Sequence, residues 1–261
     1  MMETLLLTAT VQPADVIYCD RNAMQQRLDD YLHAFRFWLG EPLVSRIVWV
    51  ENSGFDLKPF RDMVARLGMQ GKKVELLGFT QAPFDRNLGK SYGEALIIQH
   101  ALNHSALLAE ETLILKGTGR YVPINFFKVW PQVRASDRFD VMANFYSHPD
   151  VCDSRFFACS RAFLQKYLMP VTPRIHDGNG FYFEHALAAA VGAAREGGQI
   201  WRSIPGGGFF VDGVQASTNT TYAYPRWKRL AYRGVARVRN GLPFRWRLGA
   251  PVRQVDQGSI S

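Results

Sequence analysis

Short apolar runs alternate with helix-like stretches through the first half of the chain, and that alternation admits few folds. Thr4 to Val11, Arg46 to Val50, Val74 to Phe79 and the run Leu113-Ile114-Leu115 each read as a buried strand bounded by polar or glycine residues. Between the first two runs, Met24, Leu28, Tyr31, Leu32, Phe35, Trp38 and Leu39 fall on one helical face. Asp20 is the expected N-cap there, and Gly40 and Pro42 end the helix. A second helix is expected from about Leu57 to Leu67, stopped by Gly68, and a third from Glu94 to Asn103. Strands alternating with helices predict an α/β fold: a mostly parallel sheet with helices on both faces.

The second half is less regular. A short helix is expected over Val122 to Val133, strands over Asp140 to Phe145 and Arg155 to Cys159, and a helix over Arg161 to Leu168. A loop carrying Pro170, Pro173, Gly178 and Gly180 leads to a helix from about Phe181 to Arg195 and a strand from Ile200 to Ile204. No linker interrupts the body, so one domain is expected over residues 1–222, with 223–261 as an appendage.

The chain has 261 residues, 47% hydrophobic, enough for a large core. No stretch approaches the roughly 18 apolar residues of a membrane-spanning helix. Thr4 to Thr8 is too short for a leader's apolar core, so no secretory leader is expected. The three cysteines, Cys19, Cys152 and Cys159, are widely spaced and read as free thiols in a reducing compartment. The histidines show no metal-ligand spacing, so no metal ligand is assigned.

The formal charge is +8, and it is concentrated. Nine of the 31 lysines and arginines lie between Arg226 and Arg253, with no acid among them, so the body is neutral and the tail carries the excess. Trp227, Leu230, Ala231, Gly234, Val235 and Val238 define one helical face, and Arg226, Arg229, Arg233 and Arg237 another. A basic amphipathic helix of this kind suits the plane of a membrane surface, and residues 226–248 are the expected contact. Packing on the body is the plain alternative. Nucleic acid is the rival partner, ranked lower because the cations alternate with an apolar face.

Polar constellations follow the strand ends, which in an open α/β sheet is where ligands bind. Thr8 and Thr10 follow the first strand. Glu51, Asn52 and Ser53 follow the second, either as a simple turn or as a base- and ribose-binding turn. Lys90 precedes the third helix, either as a surface cation or beside an anion at the helix N-terminus. After the fourth strand Lys116-Gly117-Thr118-Gly119-Arg120 places two cations around two glycines, a phosphate-binding pattern or a loop with two solvated cations. Together these make a nucleotide diphosphate the economical ligand. In the second half Asp177 and Glu184 are candidate bases, Glu184 because it sits in an apolar helix start; a first-turn acid at a helix dipole is the alternative. Asp153, Arg155 and His185 complete the acceptor-side candidates.

In this order the motifs resemble the GT-A glycosyltransferases. More narrowly, Thr8-Ala-Thr10, Glu51-Asn-Ser-Gly54, Gly89-Lys-Ser-Tyr-Gly-Glu94, Lys116-Gly-Thr-Gly-Arg-Tyr121, Phe183-Glu-His185 and Gly213-Val-Gln-Ala-Ser217 resemble bacterial glycosyltransferase-like proteins of surface-polysaccharide clusters (lipopolysaccharide, O-antigen or capsule), over about residues 4–222. The resemblance implies a nucleotide-sugar donor, a glycan or lipid-linked acceptor, and a place in the cytoplasm at the inner face of the membrane. It also implies Glu184 as the base in an inverting transfer. GT-A enzymes commonly hold Mn2+ or Mg2+ with Asp-x-Asp after the fourth strand. This chain has Lys116 to Arg120 there, so metal-independent transfer with no cofactor is expected, with Mn2+ or Mg2+ as the alternative. The competing expectations are a sugar-phosphate nucleotidyltransferase, which would want a glycine-rich loop where Thr8 to Pro13 has none, and a non-catalytic binding module at a membrane or nucleic acid.

Overall fold

In the strand runs, side chains that alternate in sequence bury on opposite faces of one sheet. A computed structural model describes residues 2–13, 17, 19–20, 22–68, 71–110, 112–146, 148–215 and 218–222. The first half is β1 (Met2–Ala9), α1 (Met24–Gly40), β2 (Arg46–Glu51), α2 (Lys58–Leu67), β3 (Lys73–Gly78), α3 (Gly89–His104), α4 (Ala106–Ala109) and β4 (Thr112–Thr118). The second half is β5 (Val122–Pro123), α5 (Phe126–Arg134), β6 (Val141–Met142), β7 (Phe156–Ser160), α6 (Arg161–Phe163), α7 (Phe183–Glu196), β8 (Trp201–Arg202) and β9 (Val211–Asp212). After α6, irregular helical turns run through Leu164–Leu168 and Met169–Arg174. The basic amphipathic helix expected over residues 226–248 lies outside the described residues.

The central sheet has seven strands in the order β3-β2-β1-β4-β7-β6-β8. β1, β2, β3 and β4 are mutually parallel, and β7 is antiparallel to both β4 and β6. The α/β, mostly parallel architecture is therefore as the alternation predicts. β5 and β9 form a separate two-stranded antiparallel pair.

Two cores follow from the pleat. Leu5, Leu7, Ile47 and Trp49 pack against Phe35 and Trp38 of α1, Phe60 of α2 and Trp130 of α5. Leu6, Val48, Val50 and Ile114 pack on the other face against Ile97 and Ile98 of α3 and Leu187 and Val191 of α7. The strand order reverses after β3: β1, β2 and β3 run outward, then β4 returns to the far side of β1. Thus α1 and α2 cover one face and α3 the other, and a crevice opens between β1 and β4 at their carboxyl ends.

Several local expectations shift. The N-cap of α1 is Ala23, with no side-chain cap, and not Asp20. α3 begins at Gly89 rather than Glu94, because its first turn is capped by Asp177 from a distant segment. Val122–Pro123 pairs with β9, so α5 starts only at Phe126. The strands expected over 140–145 and 200–204 shrink to Val141–Met142 and Trp201–Arg202, which pair with each other.

Candidate functional site

A cavity of about 510 Å³ occupies the crevice at the reversal point. That size suits a small-molecule ligand. Thr8 and Thr10 reach it from the end of β1, Asn52 and Ser53 from β2, Lys90 and Glu94 from α3, and Arg120 from beyond β4. Ser154 and Arg155, just before β7, and Glu184 of α7 line the opposite side.

The turn after β2 divides its labour. Glu51 is fully buried and accepts from the backbone N–H groups of Val11 at 2.9 Å, Ser53 at 2.9 and 3.0 Å, and Phe55 at 3.2 Å. Ser53 Oγ donates to it as well. The Glu51 carboxylate thus folds two loops onto each other, and it is absent from the cavity wall, contrary to a base-contacting role. Asn52 does line the cavity, accepting from Thr10 Oγ1 at 2.7 Å and donating to Gln81 Oε1 at 2.7 Å. Behind this turn, Arg27 of α1 donates from Nε to the Thr10 carbonyl at 2.7 Å and from Nη2 to Tyr31 Oη at 3.2 Å, and it too lines the cavity.

The glycines at the end of β4 and just beyond it are hemmed in by the chain itself. A Cβ on Gly117 would stand 2.5 Å from the Phe156 ring, and one on Gly119 would stand 2.8 Å from the Thr8 carbonyl and 3.1 Å from Trp49. The glycines therefore serve close approach of chain to chain. Lys116, expected as a loop cation, is a strand residue with no exposed surface. Its Nζ donates to Glu94 Oε1, to the Ser154 carbonyl at 2.9 Å and to Thr118 Oγ1 at 3.4 Å. The pleat explains this: Lys116 shares a face with Ile114, under α3, so its side chain enters the interior. Arg120 does line the cavity. Its Nη2 donates to Tyr121 Oη at 3.0 Å, and its Nε–H meets no acceptor among the described residues.

The second-half candidates separate. Glu184 lines the cavity, and Ser154 Oγ donates to its Oε1 at 2.7 Å. Burial pushes the Glu184 carboxyl above the ordinary glutamate value, the Ser154 hydrogen bond opposes this, and the charge of Glu94 adds to the rise. Asp177 is fully buried away from the cavity wall, where its Oδ2 accepts from the Ser91 N–H at 3.3 Å in the first turn of α3. The helix N-terminus expected to attract a ligand anion is thus filled by the chain's own carboxylate. Burial also pushes Asp177 above the ordinary aspartate value. His185 accepts from the Tyr182 N–H at 3.1 Å through Nδ1, in a capping box that starts α7, and it is not in the cavity wall. Asp153 grips Arg155 through two bonds of 2.8 and 2.6 Å, and this aims Arg155 at the cavity beside Tyr222, whose ring lies 5.0 Å from the guanidinium carbon.

No protein-family model and no curated relative matches the sequence. The solved structures that the chain resembles in outline include the following three. One is a 4-diphosphocytidyl-2C-methyl-D-erythritol synthase, at 11% identity and TM-score 0.40 over 88% of this chain and 96% of that one. Another is HddC from Yersinia pseudotuberculosis, at 12% identity and TM-score 0.37 over 78% and 89%. The third is a mannosyltransferase from Pyrobaculum calidifontis solved with GDP-Man and Mn2+, at 12% identity and TM-score 0.44 over 91% of this chain but only 61% of that chain. Likeness at this level is one of fold outline, so chemistry has to be argued from the cavity itself.

The cavity's charge pattern is its main chemical statement. Arg27, Lys90, Arg120 and Arg155 outnumber the carboxylates Glu94 and Glu184 along the wall, so the space favours an anion. The side chains at the end of β4 and just beyond it do not fit a divalent cation: they offer Lys116 and Arg120, and the nearby Glu94 is already engaged by Lys116. Among the described residues no group of three or more His, Cys, Asp or Glu could hold a metal ion. Arg27, Gln81, Glu94, Ser154 and Tyr222 were not singled out from sequence. A signal existed for Arg27, which sits one turn before Tyr31 on the buried side of α1. None existed for Ser154, whose role depends on where β7 lies.

Proposed function

We propose that this protein transfers a sugar from a nucleotide-sugar donor to a hydroxyl of a glycan or lipid-linked acceptor, by single displacement and without metal. The supporting observation is the joining in one crevice of four cations with a carboxylate whose burial favours its protonated form. The turn carrying Thr10, Asn52 and Ser53 would hold the nucleoside. Lys90 and Arg120 would meet the diphosphate, with the unsatisfied Arg120 Nε–H available to a phosphate oxygen. Glu184 would take the acceptor hydroxyl proton as the acceptor oxygen bonds to the anomeric carbon and the bond to the phosphate oxygen breaks. A nucleoside diphosphate leaves, and the anomeric configuration inverts.

The deciding experiment is thermal stability against UDP, dTDP, GDP and CMP, each with EDTA or Mn2+. A nucleotide at about 100 times its Kd should raise Tm by on the order of 5–10 °C. We expect one nucleotide to do so in EDTA, and Arg120→Ala to abolish the shift. A shift seen only with Mn2+ would defeat the metal-free reading, and no shift from any nucleotide would defeat the donor reading.

The acceptor side of the proposal includes a membrane surface met by residues 226–248, with the enzyme working at the cytoplasmic face on bacterial surface polysaccharide. The eight basic residues of that stretch support this, since each contributes about 1 kcal/mol near anionic lipid. Co-sedimentation with phosphatidylglycerol vesicles, lost on neutral vesicles and in high salt, is the expected result. Equal binding to neutral vesicles, or none to either, would remove the membrane from the proposal.

A further inference from the structure

Lys116 is buried in the central sheet among apolar neighbours. It lies in register between Leu6 of β1 and Phe157 of β7, with no exposed surface. Its ammonium sits over two aromatic rings, 5.9 Å from the Phe157 centroid and 5.6 Å from that of Phe183. Taking a lysine and a carboxylate partly out of water costs more than an apolar pair of the same volume would. The contacts show what this pair is joined to. Nζ engages Glu94, which also accepts from Thr8 Oγ1 at 3.3 Å, and it donates to the carbonyl of Ser154 at 2.9 Å. The same Ser154 donates its hydroxyl to Glu184 at 2.7 Å. Lys116 thus ties together both carboxylates of the cavity wall, Glu94 directly and Glu184 through one residue.

We propose that Glu94 and Lys116 are positioning residues for Glu184: the ion pair holds a fixed negative charge beside the base, aligns Ser154 against it, and so tunes the pH at which the base works. This inference rests on Glu184 being the base of the proposed transfer. The other titratable groups near Glu184 are Lys90 on α3, Tyr146 after β6 and Lys116 itself through Ser154, with the Asp153–Arg155 pair flanking Ser154. Lys90 acts against Glu94, favouring the ionised base, and Glu94 favours its protonated form. Removing the negative charge of Glu94 while Lys116 stays charged must therefore let Glu184 ionise at lower pH.

The test is a pH titration of Glu184 in Glu94→Gln and in the double variant Glu94→Gln/Lys116→Met, in which the pair is neutral and no buried charge is left alone. Side-chain carboxyl 13C shifts of glutamate-labelled protein follow Glu184 without any acceptor, its signal being the one missing in Glu184→Gln. The expected result is a lower midpoint in Glu94→Gln, and in the double variant a midpoint above that of Glu94→Gln because the positive charge of Lys116 is gone as well, with the acid limb of transfer moving in step. A Glu184 midpoint unmoved in Glu94→Gln would overturn the inference. Full activity in Glu184→Gln would instead sink the base assignment while leaving the titration result standing, so the two failures are distinguishable.

Discussion

Glu184→Gln is expected to lower transfer by about 10²–10⁴-fold, the usual contribution of a positioned general base, with the fold and nucleotide binding preserved. Gln matches Glu in shape and can still accept the 2.7 Å bond from Ser154 Oγ, so the helix start and the cavity wall should survive. Only the ability to take a proton is lost. The assay is turnover at saturating donor, with the nucleotide-induced Tm shift as the check on binding. The pH dependence has a definite sign. Burial, opposed by Ser154, raises the Glu184 carboxyl above its ordinary value of 4.5. A base must be ionised to work, so activity should fall as pH drops through a point above that value. Ser154→Ala removes a hydrogen bond to the ionised form, so the acid limb should move further up in pH. A limb that moved down, or a Glu184→Gln enzyme of near-normal turnover, would show that another group takes the proton.

Gly89→Ala should destabilise the protein severely although it adds one methyl group. Gly89 has φ of +72°, and a Cβ there would lie 2.1 Å from Asp177 Oδ2. A non-glycine residue held in such a conformation costs about 1–3 kcal/mol, and forcing an atom into a packed interior costs about 1–3 kcal/mol more. The neighbour cannot yield cheaply, because the Asp177 carboxylate is buried and caps the Ser91 N–H. A loss of roughly 2–6 kcal/mol corresponds to a Tm lower by on the order of 10 °C. Since α3 carries Lys90 and Glu94 into the cavity, nucleotide binding should fall with it. Gly192→Ala is the control: it lies inside α7, an added Cβ meets nothing within 4 Å, and the change should be neutral or stabilising by up to about 1 kcal/mol. Equal Tm values for the two variants would mean that Asp177 does not seal the start of α3.

The first-half architecture was legible because it is written in local periodicity. Apolar runs of strand length and one-sided helices such as Met24 to Leu39 repeat in an order that only a largely parallel sheet satisfies. For the same reason the strand ends pointed to the crevice, where Thr8, Thr10, Asn52, Ser53, Lys90 and Arg120 lie; Arg155 and Glu184, read from other signals, line it too. What local pattern could not decide is which polar residues face a ligand and which face the chain itself. Glu51, Lys116 and Asp177 look like site residues in sequence, yet each ends its side chain on the protein's own backbone or on Glu94. Gly117 and Gly119 likewise make room for Phe156, Thr8 and Trp49 rather than for a ligand. Composition and periodicity by themselves determined the class of fold and the end of the sheet where a site belongs. Only the tertiary structure decided the partners, because a buried charge must be met by whatever group packing brings within reach, and for Lys116 and Asp177 that group lies 22 and 86 residues away.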